Sequence, residues 1–263
     1  MQAVILAAGQ GTRLRPLTDR CPKCLVEVQG KPILQRQLEA LSDAGLRECV
    51  IVVGYRAAQV RDFFGSRFRN LAITYVENEI FDSTNNIYSL WLARGQITED
   101  LLLLEGDLVF EPGLLIDLLE VPNRNAAVVD RFQPFMNGTV IVAHGDRATA
   151  MVLGRDQPRG FDYESALKTV NIYKFSRRAV RDELMSILGD YVSQGLTDRY
   201  YEMAISRAIS NGSLALHVVP TGTRAWAEVD TQEDLADAEA LRFWPAINTD
   251  TARSMPLARL RGR

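Results

Sequence analysis

The N-terminal segment of the chain is the feature that most constrains its fold. The small apolar run over residues 3–8 is typical of a buried strand, and it leads directly into Gly9-Gln10-Gly11. These glycines allow close approach to backbone N–H groups, while Arg13, Arg15 and Lys23 supply fixed positive charge. A strand that ends in a glycine-containing, cationic loop predicts a binding site for a polyphosphate.

Two other interpretations of this loop have to be weighed on the local evidence: a dinucleotide-binding turn, which the sequence disfavours, and a basic surface loop. A dinucleotide-binding turn needs a third small residue three places after the second glycine, where this chain has Leu14. The loop also does not run directly into a helix, because Pro16 and Pro22 keep it irregular until a helical pattern begins near Pro32. A basic surface loop that happens to hold two glycines is the second alternative.

Short β-branched runs alternate with helical patterns in the first half of the chain. Strands are predicted over residues 50–53, 72–76 and 101–104, with a helix over 57–64. Such alternation implies βαβ units, so we expect an α/β fold with a mainly parallel sheet. After about residue 125 the chain becomes strand-rich, and we expect this half to contribute an acceptor-binding wall and not to form a separate domain.

The composition fits a single globular domain over residues 1–244. The chain has 263 residues, of which 47% are hydrophobic and 24% are charged. Its net charge of −3 gives no general attraction for nucleic acid, and no apolar stretch reaches the length of a membrane span. Because the first residues have no charged leader, we expect a cytoplasmic protein with neither nucleic acid nor membrane as its partner.

Arginines accumulate at the end of the sequence, over residues 245–263, where the apolar periodicity fades. We expect this basic tail either to be disordered or to pack on a partner. The oligomeric state stays open, with a homodimer as one alternative.

Three cysteines are too few for a disulfide framework, although Cys21 and Cys24 have the spacing of a redox pair. A redox motif of this type opens a helix after a strand, whereas this pair lies inside the glycine-containing loop. A redox function is therefore a minor alternative.

Two carboxylates stand out by their context. Asp107 follows the apolar run 101–104, and Asp230 precedes a helical pattern that begins near Thr231. Carboxylate oxygens suit Mg²⁺, which is bound in proteins by one or two carboxylates together with phosphate oxygens. The alternative for Asp230 is a helix N-cap, a common role for an aspartate at that position.

Residues 6–14, followed by Pro22-Lys23 and by 26–33, resemble the signature of the nucleotidyltransferases that activate sugar phosphates and related phosphates. The chain departs from the family's Pro-Lys-Pro-Leu run at Cys24 but keeps the lysine. The resemblance implies a three-layer α/β/α, Rossmann-like fold around a mostly parallel mixed sheet. It also implies Mg²⁺ at Asp107 and Asp230.

The same resemblance assigns the other site residues. Arg13 and Lys23, with the two aspartates, are the expected catalytic residues. The expected nucleotide-binding residues are Leu6, Ala7, Ala8, Gly9, Gly11, Thr12, Arg13, Lys23, Tyr55, Ser89 and Gly106. The expected acceptor-binding residues are Asn86, Lys168, Tyr173, Tyr201, Trp226 and Glu228. Pattern alone leaves two alternatives open: an exposed strand-edge lysine for Lys168 and ordinary core packing for the aromatic residues.

Segments in the middle of the chain narrow the resemblance to one branch. Residues 85–90, 171–176 and 200–202 resemble bacterial phosphocholine cytidylyltransferases and their phosphonate and inositol-phosphate relatives. This implies a cytidylyltransferase that uses CTP, releases pyrophosphate and takes an acceptor such as 2-aminoethylphosphonate, a hydroxyalkylphosphonate or phosphocholine. Choline-specific relatives place a tryptophan within the segment that corresponds to residues 136–139. In this chain that segment contains no tryptophan.

Two other functions remain open. One is a sugar-1-phosphate nucleotidyltransferase that uses UTP, dTTP or GTP. The other is a catalytically silent nucleotide-binding regulatory module, although the presence of Arg13, Lys23, Asp107 and Asp230 argues against it.

Overall fold

The computed structural model of the protein describes residues 1–122 and 125–243. The expected basic tail over 245–263, and the domain boundary expected at residue 244, lie outside the described residues. Both stay predictions.

The described chain contains α-helices on both sides of a central sheet, and none of them is both long enough and apolar enough to cross a membrane. The helices are α1 Ile33–Asp43, α2 Ala57–Phe64, α3 Asn86–Ala93, α4 Gly113–Glu120, α5 Met185–Ser193, α6 Glu202–Ser210 and α7 Gln232–Ala240. A π-helical segment, Ala179–Leu184, leads directly into α5. Three short 3₁₀ turns occupy the glycine-containing loop and its continuation, at Thr12–Leu14, Leu17–Asp19 and Lys23–Leu25.

Most of the strands belong to a ten-stranded sheet. The strands are β1 Gln2–Ala7, β2 Glu27–Val28, β3 Lys31–Pro32, β4 Glu48–Val53, β5 Arg67–Phe68, β6 Leu71–Glu77, β7 Leu101–Glu105, β8 Leu108–Phe110, β9 Ala126–Arg131, β10 Val140–His144, β11 Arg147–Val152, β12 Ala166–Phe175, β13 His217–Pro220 and β14 Trp226–Glu228. Their order in the large sheet is β10-β11-β13-β9-β12-β7-β1-β4-β6-β5. Two small sheets pair β2 with β3 and β8 with β14.

The direction of strand pairing divides the large sheet. The neighbours β7, β1, β4 and β6 are parallel, whereas β12 runs antiparallel to β7 and β9 and joins the second half of the chain to the first. In the parallel part, Leu6 pairs with Glu105 and Ala7 pairs with Val53. The carboxyl ends of these strands therefore meet at one edge of the sheet, where the glycine-containing loop begins.

The side chains of β1 alternate between two cores. Ala3 and Ile5 pack with α1, α2 and α4 on one face, whereas Val4 and Leu6 pack with α3, α5 and α6 on the other. This alternation is what a period of two residues produces in a strand covered on both faces. The expected α/β fold, with helices on both sides of a mixed sheet, is confirmed. Parallel pairing, which was expected for most of the sheet, holds for four of the ten described strand pairings, because the second half of the chain adds mainly antiparallel strands.

A third, smaller core fixes the loop that follows β1. Leu14 is fully buried there with Val26, Ile33 and Val229, and Phe243 belongs to the same cluster. The predicted start of a helix near Pro32 is confirmed, since α1 begins at Ile33, but the segment before it contains three 3₁₀ turns and the β2–β3 pair as well as irregular chain. Apolar anchoring holds this loop in place although its glycines and charges are near the surface.

Candidate active site

A cleft of about 550 Å³ lies at the carboxyl ends of β1 and β7. It is lined by residues of the glycine-containing loop and by residues of β12, α3 and the start of α6. Its lining consists of Leu6, Ala7, Ala8, Gly9, Gly11, Thr12, Arg13, Lys23, Cys24, Asn78, Phe81, Thr84, Asn85, Asn86, Ser89, Glu105, Gly106, Asp107, Asn137, Gly138, Thr139, Leu153, Gly154, Arg155, Lys168, Asn171, Tyr200, Glu202, Glu228 and Asp230.

The glycine-containing loop turns back on itself at Gly11. This residue has a φ of +62°, a left-handed conformation that favours glycine, and a Cβ there would lie 3.0 Å from Lys23 Cβ. Thr18 Oγ1 donates a 2.7 Å hydrogen bond to the carbonyl oxygen of Gly11. The turn thereby packs the backbone at Gly11 against the stem of Lys23.

The floor of the cleft is close-packed backbone. A Cβ on Gly106 would lie 2.8 Å from Ala7 Cβ and 2.9 Å from the carbonyl oxygen of Leu6. A Cβ on Gly54 would lie 2.8 Å from the carbonyl oxygen of Ala8. Glycine is thus needed at both positions because the strand ends approach one another closely.

Lys23 and Arg13 meet two carboxylates at the mouth of the cleft. Lys23 Nζ lies 2.6 Å from Asp107 Oδ2 and 2.5 Å from Asp230 Oδ1, and Arg13 Nη2 lies 2.8 Å from Asp230 Oδ2. Although burial disfavours the charge on Lys23, the two aspartates raise its pKa above the ordinary lysine value. Although burial also acts on Asp230, Lys23 and Arg13 hold its pKa below the ordinary value. The four side chains that the sequence predicted to be catalytic therefore lie together.

The carboxylates around Asp107 offer oxygens of the kind that a divalent cation binds. Asp107 Oδ1 is buried and has no hydrogen-bond partner among the described residues, which leaves an oxygen of the kind that Mg²⁺ binds. The other oxygen of Asp107 and one oxygen of Asp230 already converge on a single cationic nitrogen, that of Lys23. Glu228 and Glu105 bring further carboxylate oxygens within 4.8 Å of Asp107.

The helix-capping alternative for Asp230 is wrong. Thr231 is the N-cap of α7: its hydroxyl accepts from the backbone N–H of Asp234, while the Asp234 carboxylate accepts from the backbone N–H of Thr231. Asp230 is left free to pair with Lys23 and Arg13.

The cleft also holds a second group of polar and charged residues, Asn86, Glu105, Lys168, Glu202 and Glu228. We call this group the acceptor wall, after the role that the resemblance predicts for Asn86, Lys168 and Glu228. Lys168 Nζ lies 3.5 Å from Glu228 Oε2. Asn86 Nδ2 donates to Glu105 Oε1 at 3.1 Å, and Asn86 Oδ1 accepts from the backbone N–H of Tyr201 at 2.9 Å. Asn86 therefore connects the end of β7 to the residue that precedes α6.

Burial perturbs the acids of the acceptor wall. Burial, together with the nearby charges of Asp107 and the other two glutamates, raises the pKa of Glu105 well above its ordinary value. Burial raises the pKa of Glu228, against the opposing effect of Lys168. Burial also raises the pKa of Glu202 to about 7. The wall holds more acid groups than cations.

Lys168 lines the cleft, where the sequence predicted it. The alternative was that it is an exposed lysine at the edge of the sheet. It is 4% exposed, and its strand β12 pairs with β7 and β9, so the edge-lysine interpretation is wrong. Asn86 and Glu228 also line the cleft, and so do all the predicted nucleotide-binding residues except one.

Three predicted acceptor residues do not line the cleft. Tyr173 and Tyr201 are fully buried and pack edge to face, with ring centroids 6.0 Å apart. The Trp226 indole N–H donates to Asp130 Oδ2 at 2.6 Å. The core-packing alternative therefore describes the two tyrosines, because the interior between β12 and α6 is filled by their rings.

Tyr55 is the one predicted nucleotide residue outside the lining. Its hydroxyl donates to the carbonyl oxygen of Thr18 at 3.0 Å, and its backbone N–H donates to the carbonyl oxygen of Ala8 at 3.0 Å. Tyr55 thus supports the loop and does not face the cleft.

Several lining residues were missed by the sequence analysis. Glu202 directly follows the two tyrosines at 200 and 201, and Glu105 ends β7 just before Gly106. A charged residue at the end of an apolar strand was a usable signal for Glu105. Residues 200–202 were part of the sequence resemblance, but Glu202 was given no site role because its position in the cleft depends on how α6 packs. Asn78, which donates to Thr84 Oγ1 and Ser89 Oγ, was also missed.

The thiols of Cys21 and Cys24 have raised pKa values, whereas redox motifs contain a thiol with a lowered pKa. Cys21 and Cys24 are both free, and burial raises the pKa of Cys24 to about 12. Reactive thiols in redox motifs have lowered pKa values. This finding argues against a redox function for the pair.

Comparison with known proteins agrees with the sequence resemblance. Residues 3–202 match the family model of the MobA-like NTP transferase domain. Over 246 residues, or 93% of the chain, the protein is 37% identical to CMP-5'-(3-aminopropyl)phosphonate synthase of Streptomyces rubellomurinus, of which the match covers 39%. The chain spans less than half the length of the first curated relatives that it matches.

Solved structures share the fold. The CTP:phosphocholine cytidylyltransferase of Streptococcus pneumoniae superimposes with a TM-score of 0.73 at 22% identity, over 91% of this chain and 97% of that one. The inositol-1-phosphate CTP transferase of T. maritima gives a TM-score of 0.71 at 20% identity, over 91% and 94% of the two chains. The nucleotidyltransferase fold expected from the sequence is therefore confirmed.

Proposed function

Because the chain belongs to the MobA-like NTP transferase family, we propose that it is a CTP-dependent cytidylyltransferase that joins CMP to a small phosphonate or phosphorylated alcohol. The observation that carries this proposal is the convergence of Lys23 and Arg13 with Asp107 and Asp230 at one mouth of the cleft. Such a group can neutralise a triphosphate and hold a divalent cation beside it.

The nucleotide occupies the side of the cleft formed by residues 6–13. Gly9 carries no side chain, and the space that its Cβ would occupy is empty to 4 Å. A ligand in that space could therefore approach the backbone closely. The choice of CTP is supported by the relative whose name includes a CMP-phosphonate product and by the similarity of residues 85–90 to cytidylyltransferases.

The reaction follows from the charges present. An oxygen of the acceptor phosphonate attacks the α-phosphorus of CTP, a new P–O bond forms, and the bond between the α-phosphorus and the α–β bridging oxygen breaks so that pyrophosphate leaves. The acceptor oxygen is already anionic at neutral pH, so no side chain has to remove a proton. Catalysis then depends on alignment of the two ligands and on neutralising charge.

Each charged side chain has a separate task in this account. Arg13 and Lys23 hold the triphosphate, and Lys23 stabilises the charge that builds on the α-phosphate in the transition state. Asp107 and Asp230 would hold Mg²⁺, which supplies electrostatic stabilisation of the phosphoryl oxygens. Lys168, on the acceptor wall, would pair with the phosphonate of the acceptor.

Release of pyrophosphate tests the proposal. The protein would be incubated with Mg²⁺ and each of CTP, UTP, dTTP and GTP, in combination with 2-aminoethylphosphonate, 2-hydroxyethylphosphonate, phosphocholine and glucose 1-phosphate. We expect release with CTP and a phosphonate or phosphoalcohol, and none after EDTA treatment. Release only with glucose 1-phosphate would assign the chain to the sugar-phosphate enzymes. Binding of CTP without release in any combination would instead indicate a regulatory module.

A further inference from the structure

A second cavity, of about 390 Å³, is separate from the cleft. It is bounded on one side by the C-terminal end of α3 and the 3₁₀ turn that follows, Arg94–Gln96, and on the other by the π-helical segment and the start of α5. The linings of the two cavities have no residue in common. Small-molecule sites have volumes of about 300–1,000 Å³, so this cavity can hold a small ligand.

The charged side chains that line this second cavity are all cationic. They are Arg94, Arg177 and Arg181, and the lining contains no acidic residue. Arg181 Nε lies 2.7 Å from Asp182 Oδ1, whereas Arg94 and Arg177 have no acidic partner within the described part of the chain. A guanidinium group binds phosphate through paired N–H donors. Three of these groups around one cavity therefore favour an anion with several oxygens.

Much of the remaining lining of the second cavity is apolar. Its apolar residues are Trp91, Ile97, Val180 and Met185. The Trp91 ring is packed against α5, since a Cβ on Gly189 would lie 3.0 Å from it. The Arg94 guanidinium covers this ring, with Cζ 4.1 Å from the ring centroid, and Arg94 Nη1 donates to the Trp91 carbonyl oxygen at 2.8 Å. A guanidinium plane fixed in this way can stack on a flat ring as well as bind an anion.

The backbone that carries two of the lining residues has an uncommon conformation. Val180 and Arg181 belong to the π-helical segment Ala179–Leu184, and π-helical turns are rare and occur frequently at functional sites. Just before this segment, the backbone N–H of Arg177 donates to Asp100 Oδ1 at 2.7 Å. The backbone of Arg177 is therefore fixed, while its guanidinium is left to the cavity.

From these observations we infer that the cavity between α3 and α5 binds a nucleoside phosphate, at a site separate from the cleft. The phosphate contacts Arg177 and Arg181, and the base stacks on Arg94 beside Trp91. Inorganic phosphate alone would leave the apolar surface unfilled, and an uncharged nucleoside would leave the arginines without an anion. This second site does not depend on the function proposed for the cleft.

Calorimetry with the separate parts of the ligand tests this inference. The protein would be titrated with AMP, GMP, CMP and UMP, with the corresponding nucleosides and with inorganic phosphate. EDTA would be present so that no divalent cation assists binding in the cleft. We expect at least one nucleotide to bind about tenfold or more tightly than its nucleoside and than phosphate, because only the nucleotide contacts both the arginines and the apolar surface. Equal affinity for inorganic phosphate or for the nucleoside would overturn the assignment of a nucleotide.

Two neighbouring arginines provide a matched pair of variants. Arg177→Gln removes a charge that lines the second cavity, whereas Arg178→Gln removes the charge of an exposed arginine that does not line it. We expect Arg177→Gln to weaken nucleotide binding by about tenfold, the effect of one charge-assisted hydrogen bond. Arg178→Gln should change it by less than about threefold, because a charge without direct contact is screened by solvent. Lys23→Ala, which alters the cleft, should leave this binding in place.

Three results would overturn the second site. Equal weakening in Arg177→Gln and Arg178→Gln would mean a general attraction to surface charge. Binding that is lost in Lys23→Ala and kept in Arg177→Gln would place the nucleotide in the cleft. Failure of all four nucleotides to bind would exclude a nucleotide site in this cavity. None of these results bears on pyrophosphate release, which tests the function of the cleft separately.

Discussion

The two groups of residues that line the cleft are built differently, and in the proposed function they would recognise their ligands by different means. The nucleotide side, residues 6–13 with Lys23, consists of backbone and cations on a contiguous loop after β1. The acceptor wall consists of one lysine, Asn86 and three acids, of which Glu202 is buried and the other two are half-buried. These residues come from β7, β12, β14, α3 and α6, which are distant from one another in the sequence. The contrast suggests that the first side provides the common chemistry of triphosphate binding, while the second determines which acceptor enters.

The largest effect should come from the carboxylates between the two sides. Asp107→Asn and Asp230→Asn remove the charges expected to hold Mg²⁺ while preserving side-chain volume. We expect each to lower kcat by about 10³-fold, the scale seen when a main electrostatic contact to a transition state is lost. Pyrophosphate release across a Mg²⁺ titration measures this. The exposed Asp62→Asn on α2 is the control. Near-normal turnover at saturating Mg²⁺ would exclude the altered aspartate as a metal ligand.

Lys23→Ala tests whether the nucleotide side acts on the transition state or only on binding. Since Lys23 is expected to stabilise charge that develops on the α-phosphate, kcat should fall by about 10²-fold while the Kd for CTP rises much less. Steady-state kinetics and calorimetry with CTP give the two numbers. If affinity alone were lost, Lys23 would be a ground-state ligand of the triphosphate.

Gly106→Ala tests the close-packed floor that the two sides share. The added Cβ would lie 2.8 Å from Ala7 Cβ and 2.9 Å from a backbone oxygen, so the strand ends must separate. We expect a loss of about 1–3 kcal/mol in the free energy of unfolding, measured with urea. Gly95→Ala is the control, because a Cβ there meets nothing within 4 Å. Equal stability of the two variants would show that the floor tolerates a side chain.

The smallest effect concerns the pH dependence of stability at the acceptor wall. Because burial raises the pKa of Glu202 from 4.5 to about 7, the folded state binds its proton more tightly than the unfolded state does. Glu202 therefore destabilises the fold progressively as pH rises from about 4.5 to about 7, with Lys168 opposing this effect and Glu228 adding to it. The difference in free energy of unfolding between Glu202→Gln and wild type should therefore be about 1–3 kcal/mol more in favour of the variant at pH 8 than at pH 4.

Urea unfolding of both proteins at the two pH values gives this difference. A Glu120→Gln control, at the end of α4, should show none, since its side chain is exposed. If the difference in free energy of unfolding between Glu202→Gln and wild type were the same at both pH values, folding would not raise the pKa of Glu202.

The two sides also differ in how far the sequence predicted them. Gly11, Arg13 and Lys23 could be found because phosphate binding requires glycines and cations close together along one loop. Glu202 was not assigned to the site, although residues 200–202 are part of the resemblance, since only the packing of α6 carries its carboxylate to the cleft. For the same reason Tyr173 was misassigned: a tyrosine near a ligand and a tyrosine in the core have the same local pattern.

The most direct test of the account is ³¹P NMR of the protein with Mg²⁺, CTP and 2-aminoethylphosphonate. We predict that the resonance of the free phosphonate is replaced by two coupled doublets, one from a phosphonate and one from a phosphate, as pyrophosphate accumulates. This coupling reports the new P–O–P bond. Unchanged substrate resonances, or CMP and pyrophosphate without coupled doublets, would contradict the assignment of this cleft to cytidylyl transfer onto a small phosphonate.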